Sequence, residues 1–269
     1  MTHDLGIIGA GNMAEAIARG VIAKGVLQPS QIIASDVSPQ RRELFEKDLK
    51  IRAVEDNLDA AKHSRMLLLS VKPQQMQSAL EGIGRVLQRD ALVISIAAGI
   101  TTAFIEQHLG AGRWRVIRTM PNTPMLVGEG MVAIASGKHA SADDLAAART
   151  LFESAATVID VTEDKLDAVT AVSGSGPAYV FYLVEQMITA GVAMGLTPEQ
   201  SRTLACKTAL GAGKMLVTSV DSPQELRRKV TSPGGTTQAA ITHMESEKMG
   251  KIIVDALAAA QRRSKELAV

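Results

Sequence analysis

The stretch Leu5-Gly6-Ile7-Ile8-Gly9-Ala10-Gly11-Asn12-Met13-Ala14 decides the fold. A short apolar run passes into a G-x-G-x-x-A turn, and from Asn12 to Lys24 the pattern becomes helical. The reading is a strand, a tight turn and a helix opening at the end of that strand. Gly9 permits the turn, Gly11 lets the backbone approach a pyrophosphate, and Ala14 lets the helix pack closely on the sheet. The free N–H groups of the first helical turn then face negative charge. The same ten residues, taken alone, also fit a plain strand-to-helix connection.

Further along, Gln31 to Ser35 forms a second β-branched run and Pro39 to Asp48 a second helix, an alternation that implies a parallel sheet. Asp36 ends the second strand. A carboxylate there accepts hydrogen bonds from the ribose hydroxyls of NADH and repels the additional phosphate of NADPH. Ser35, Ser38, Arg41 and Arg42 offer hydroxyls and positive charge to that same phosphate, although the plainer reading of both arginines is a solvated helix face. The residues leave both nucleotides open.

Met66 to Val71, Leu92 to Ala97 and Val116 to Met120 are apolar runs that stop abruptly, as strands buried on both faces do. Met131 to Ala135 and Val158 to Val161 flank a helix at about Ser141 to Ser154 and extend the sheet. Ligands of such a sheet sit beyond the carboxyl ends of its strands. There the chain places Val71-Lys72-Pro73, the small residues Ala97-Ala98-Gly99, and a loop, Met120-Pro121-Asn122-Thr123-Pro124, that two prolines stiffen. After Glu163 the pattern is helical throughout: Asp164 to Val172, Pro177 to Met194, Pro198 to Val217, Pro223 to Lys229 and Thr236 to Leu267. The expectation is an α/β Rossmann-like dinucleotide-binding domain at 1–163 and an all-α dimerisation domain at 164–269. The helical part is rich in Ala, Gly and Met and carries more apolar surface than so thin a layer can bury, which predicts an obligate dimer.

Composition narrows the partners. Lys plus Arg number 29 against 28 Asp plus Glu, so a net charge of +1 provides no field for nucleic acid or an anionic membrane. The single cysteine, Cys206, excludes an intrachain disulfide and is expected as core filler in a reducing cytosol. No basic leader precedes the first apolar run, and no stretch approaches the roughly 20 apolar residues needed to span a bilayer. A cytoplasmic location is expected. His3, His63, His108 and His139 fall at expected surface or turn positions, and His243 reads as structural or exposed. No carboxylate and histidine cluster has metal-ligand spacing, so no metal is expected.

With the strand ends set beside the turn, the chain resembles the pyrroline-5-carboxylate reductases, which catalyse the last step of proline synthesis. Ser173-Gly174-Ser175-Gly176-Pro177-Ala178-Tyr179 is similar to the family's helix-opening motif. Pro223 to Met244, containing Ser232-Pro233-Gly234-Gly235-Thr236-Thr237, is similar to its C-terminal signature over more than twenty residues. The resemblance implies hydride transfer from NADPH or NADH to the C=N carbon of 1-pyrroline-5-carboxylate, giving L-proline. It implies that Ser232 and the Gly234 and Gly235 backbone hold the substrate carboxylate and that Thr237 hydrogen-bonds the ring nitrogen. Cofactor contacts are implied at Gly9, Gly11, Asn12, Met13, Ser35, Asp36, Asn57, Val71, Lys72, Pro73, Ala97, Ala98, Gly99 and Asn122. It also implies a homodimer through the helical domain, with a pentamer of dimers as a further assembly.

The substrate loop has its own physics. It precedes a helix, so N–H groups and hydroxyls converge where a carboxylate is welcome, and an ordinary glycine-rich N-cap is the plain alternative. Thr237 is too weak an acid at neutral pH to donate the proton, so its expected role is to orient the imine. A β-hydroxyacid dehydrogenase is the nearest enzymatic rival. That family carries a lysine four residues after a Gly-Ser-Gly segment, whereas Gly174-Ser175-Gly176 leads to Pro177-Ala178-Tyr179-Val180. Lys72 is an alternative acid–base group, since a desolvated lysine can titrate near neutrality. A dinucleotide sensor without chemistry has no use for both loops intact.

Overall fold

The computed structural model describes residues 3–268. Its contacts divide the chain into two units, one running to Gly174 and resuming at Ala260, the other Ser175–Ala259.

The first unit contains, in chain order, β1 (His3–Ile8), α1 (Asn12–Ala23), β2 (Ile32–Ser35), α2 (Pro39–Lys47), β3 (Arg52–Val54), α3 (Asn57–Lys62) and β4 (Ser64–Leu69). It continues through α4 (Met76–Leu80), α5 (Ile83–Val86), β5 (Leu92–Ser95), α6 (Thr102–Leu109), β6 (Arg115–Pro121), β7 (Gly130–Ser136), α7 (Ala142–Phe152), β8 (Ala156–Asp160) and α8 (Leu166–Val169). The eight strands form one sheet in the order β3-β2-β1-β4-β5-β6-β7-β8. All neighbours are parallel except β6 and β7. Only a turn around Thr123–Val127 joins those two, and so short a link cannot make a parallel crossover.

Side-chain alternation explains why both faces are dry. Ile7, Ile32, Leu68, Ile94 and Ile117 point into one core with Ile17, Val21 and Phe152. Their chain neighbours Ile8, Ile33, Leu67, Val93 and Val116 point into the other with Leu80, Ile105 and Trp114. A strand buried on both faces must be apolar at every position, which is the pattern of these runs. Chain order reverses at β1, whose neighbours are β2 on one side and β4 on the other. The crevice at that reversal, beyond the carboxyl ends of β1 and β4, is the ligand position of an open α/β sheet.

The second unit comprises α9 (Gly176–Ala193), α10 (Pro198–Thr218), α11 (Pro223–Lys229), α12 (Thr236–Ser246) and most of α13 (Met249–Leu267). Thr197 and Gln200 form a reciprocal capping box at the start of α10, and Ser222 accepts from the Glu225 N–H at the start of α11.

Several sequence expectations need correction. β3 has no apolar run to announce it, because it lies at the sheet edge and begins with an exposed Arg52. The helix expected over Asp164 to Val172 is α8 between a 3-10 turn at Glu163–Lys165 and a π turn at Thr170–Gly174. The one expected from Thr236 to Leu267 breaks at Glu247-Lys248, where Lys248 takes φ 58°. The boundary expected at Glu163 stands apart from these: in contacts the first unit runs on to Gly174, because Leu166 is buried with Ala133 and Ala135 of β7. His3 is buried on β1, not at the surface, and burial pushes its pKa down against the hydrogen bond between Nδ1 and the Ser30 carbonyl. Cys206 is exposed on α10 and fills no core of this chain.

Candidate functional site

The turn after β1 is shaped for an anion. Gly9 has φ +93°, and a Cβ there would lie 2.9 Å from the Ser70 carbonyl oxygen. Backbone hydrogen bonds from Gly9 to the Ser35 carbonyl and from Ser70 to the Ile8 carbonyl, both 2.8 Å, hold β1, β2 and β4 together at this point. Gly11 is the N-cap of α1 in extended conformation, and no side chain caps the helix. A Cβ on Gly11 would meet nothing within 4 Å. The first N–H groups of α1, including those of Asn12 and Met13, lack intrahelical partners and open on this empty volume. Glycine at this helix start, required neither by backbone conformation nor by the protein's own packing, leaves room for a phosphate to approach the backbone closely.

Asp36 secures this turn. Its carboxylate accepts from the Ala10 N–H and from the Ser38 N–H, each at 2.8 Å. Arg41 donates from Nε to the Ala10 carbonyl at 2.5 Å and pairs with Glu15 at 2.8 Å. Desolvation pushes Glu15 up, but the hydrogen bonds from Arg41 and Arg19 outweigh it and hold the carboxyl below the usual glutamate range. Arg42 donates to the Asp36 and Val37 carbonyls at 2.7 and 3.1 Å. Both arginines are therefore committed to protein partners. Ser35 is fully buried and donates to Asn57 Oδ1 at 2.8 Å, so its hydroxyl fixes Asn57 and does not face the cavity.

Two cavities share this turn. One of about 400 Å³ brings together Gly9, Gly11, Asp36, Asn57, Val71 and Lys72. Val37 and Gln75 also line it; sequence reading missed them, although Val37 directly follows the strand-end aspartate. The other, of about 430 Å³, brings together Gly11, Asn12, Met13, Val71, Lys72, Pro73, Ala97, Ala98 and Asn122, with Ile96, Met120 and Thr123 beside them. Asn122 is buried, and its side chain accepts from the Met131 N–H at 2.8 Å and donates to the Ser173 carbonyl at 3.1 Å. It shapes this cavity by tying down the wall. Gly99 does not line either cavity. The paired volumes, one by the strand-end carboxylate and one walled by small and apolar residues, fit the two halves of a dinucleotide across a phosphate-binding turn.

The loop at Ser232 to Thr237, expected to hold the substrate, lies in the second unit. Gly235 is the extended N-cap of α12 without a side-chain cap, and Thr236 and Thr237 form the first turn. Gly234 has φ +70°, and its N–H donates to Gln238 Oε1 at 2.5 Å. The Gly235 N–H donates to the Ser232 carbonyl at 3.0 Å. Ser232 is exposed and Thr237 half-buried. Among the described residues no group of three or more His, Cys, Asp or Glu converges as metal ligands, and no helix is long and apolar enough to cross a membrane.

Comparison with known proteins covers the whole chain. A family model described as pyrroline-5-carboxylate reductase dimerisation matches residues 163–267, and one described as NADP oxidoreductase, coenzyme F420-dependent, matches residues 4–99. The pyrroline-5-carboxylate reductase of Synechocystis is 42% identical over 267 residues, covering 99% of each chain. That of Pseudomonas aeruginosa is 41% identical, covering 99% of this chain and 97% of its own. Among solved structures, the pyrroline-5-carboxylate reductase of Coxiella burnetii has a TM-score of 0.92 at 36% identity, with both chains fully covered. The NADP-bound enzyme of Plasmodium falciparum has a TM-score of 0.89 at 30% identity, covering 99% of this chain and 98% of its own. The dinucleotide-binding turn, the loop at Ser232 to Thr237 and this end-to-end similarity agree: the chain belongs to the pyrroline-5-carboxylate reductase family.

Proposed function

We propose that this protein reduces 1-pyrroline-5-carboxylate to L-proline in the cytoplasm, using NADH or NADPH. The observation that carries the reading is the uncapped start of α1 at Gly11, an open cradle that the protein's own packing does not require. It stands in a chain that also keeps a second uncapped helix start at Gly235.

When bound, the reduced nicotinamide supplies a hydride to the C=N carbon, and the ring nitrogen gains a proton. The protein's part is to bind and orient. Ser232 and the Gly234 and Gly235 backbone hold the substrate carboxylate at the positive end of α12. Gln238 Oε1 occupies the Gly234 N–H and the Ser232 carbonyl the Gly235 N–H, and both have to yield to the incoming carboxylate. Thr237 accepts from or donates to the ring nitrogen and fixes its direction. Its hydroxyl is not acidic enough to act as the proton source, so the imine arrives protonated or receives the proton from water. Lys72 and Asn122 belong to the cofactor-side walls.

Asp36 favours NADH, because its charge opposes a ribose phosphate and Arg41 and Arg42 are engaged elsewhere. A homodimer through the helical domain follows from the apolar side chains that a single chain leaves in water, among them Phe181, Tyr182, Leu204, Leu210, Met215 and Ile252. A pentamer of dimers is the larger assembly proposed. The deciding experiment mixes purified protein with pyrroline-5-carboxylate and follows loss of reduced-nicotinamide absorbance with NADH and NADPH in parallel. Oxidation with at least one donor and formation of proline are expected; no oxidation with either overturns the proposal.

A further inference from the structure

The segment between β5 and α6, which carries Ala97 and Ala98 to the cavity wall, is fastened at three places. At its start, the Ile96 N–H donates to the Leu69 carbonyl at 3.1 Å and the Ala97 N–H to Ser95 Oγ at 3.3 Å. At its end, Glu163 accepts from the Thr102 N–H at 2.8 Å and from the Thr102 hydroxyl at 2.7 Å, anchoring the first turn of α6. The middle is held by residues distant in sequence. Gly99 is buried, and a Cβ built on it would lie 2.8 Å from the Leu267 carbonyl oxygen and 3.1 Å from the Leu267 carbonyl carbon. The backbone at the end of α13 therefore rests directly on the Gly99 backbone.

That end of α13 is itself fixed. Ser264 is buried, and its hydroxyl donates to Asp167 Oδ1 at 2.7 Å. The Leu267 side chain, by contrast, is half exposed, so the contact on Gly99 belongs to the main chain. Gly99 has φ +76°, a conformation that disfavours every residue with a side chain. Close approach and conformation both demand glycine here, although Gly99 lines neither cavity.

We propose that the last turn of α13 is a clasp that positions the Ala97–Gly99 wall of the cofactor cavity. Residues 265–268 act on dinucleotide binding through Gly99, without touching the dinucleotide. The inference rests on the reading of that cavity as the nicotinamide half of the site. Without the clasp the segment keeps its two end anchors but samples conformations in which Ala97 and Ala98 no longer form the wall. A site that is competent for a tenth of the time binds about tenfold more weakly.

The test compares the full-length oligomer with a protein ending at Ser264, with Gly99→Ala, and with Leu267→Ala. In nucleotide-free protein, hydrogen exchange at the amides of Ile100 and Thr101 should accelerate in the truncated chain and in Gly99→Ala, while Leu267→Ala, which keeps its carbonyl, stays as wild type. Dinucleotide dissociation constants from fluorescence titration should rise about tenfold in the first two only. The KM for the imine acid should not change. Unaltered exchange and unaltered affinity in the truncated protein overturn the clasp. If wild-type protein binds neither nucleotide, the proposed function fails, and the exchange measurement still decides whether the tail holds the loop.

Discussion

Gly9 and Gly11 stand two residues apart, and replacing each by alanine should have different consequences for stability. At Gly11 the backbone lies at φ −72°, ψ −177°, which any residue adopts, and the added methyl meets nothing. Gly→Ala at a compatible position stabilises by about 0.4–1 kcal/mol through the unfolded chain. Alanine is a poorer N-cap than glycine by a comparable amount, so the two effects offset to within about 1 kcal/mol. At Gly9 the backbone has φ +93° and the methyl would lie 2.9 Å from both the Ser70 carbonyl oxygen and Val71 Cγ1. The backbone strain alone costs about 1–3 kcal/mol, before the overlap is relieved. For a chain of this size that lowers Tm by several degrees, at about 2–4 °C per kcal/mol. Urea unfolding of nucleotide-free protein at one fixed concentration separates these cases, and fluorescence titration with NADH and NADPH completes them. Gly11→Ala should unfold like wild type yet bind at least tenfold more weakly, a loss of about 1.4 kcal/mol. Gly9→Ala should lose both stability and binding. A Gly11→Ala protein with wild-type affinity refutes the assignment of the empty volume before α1 to phosphate.

Thr237→Ala should reduce kcat by an order of magnitude or more with little change in dinucleotide affinity, as expected of a group that orients the reacting nitrogen; equal turnover removes that role. Asp36→Ser should shift the ratio of kcat/KM for NADPH over NADH upward by about tenfold, measured in parallel assays. The carboxylate also tethers Ala10 and Ser38, so some loss with both donors is expected too. Glu15, whose folded pKa is depressed, contributes stability above the pKa of an unfolded glutamate, about 4.3, and loses it as pH falls through the folded value. Glu15→Gln should therefore flatten the acid side of a Tm-against-pH profile and change little between pH 6 and 8. Phe181→Glu places a charge among the exposed apolar side chains of α9 and should convert the oligomer to monomer by light scattering.

Elements with strong periodicity were legible in the sequence. The run at Leu5 to Ile8 and the turn at Gly9 to Ala14 declare β1 and α1 because both faces of β1 are buried and the turn needs glycine for geometric reasons. The capped helices α10 and α11 were equally plain, since Pro198 and Pro223 mark their first residues. β3 and the break at Lys248 were not. A three-residue edge strand has too little buried surface to impose a pattern, and Lys248 adopts positive φ without a glycine to signal it. In the site, residue types located the cavity walls but not the bonding partners. Asp36, Arg41 and Asn122 were recognisable as polar groups near strand ends, whereas their commitments to Ala10, Glu15, Met131 and Ser173 arise from tertiary contacts that spacing does not encode.

The return of the chain from Ala260 onward to the first unit makes that domain discontinuous. A fragment ending at Gly174 would contain every residue of the phosphate turn and both cavity walls, yet would lack the main chain that rests on Gly99. During synthesis, too, the sheet and its helices are complete long before the segment that closes the loop after β5 leaves the ribosome. Final assembly of the cofactor half thus waits on the helical half, and neither can be swapped between relatives as a simple cassette cut at one point in the sequence.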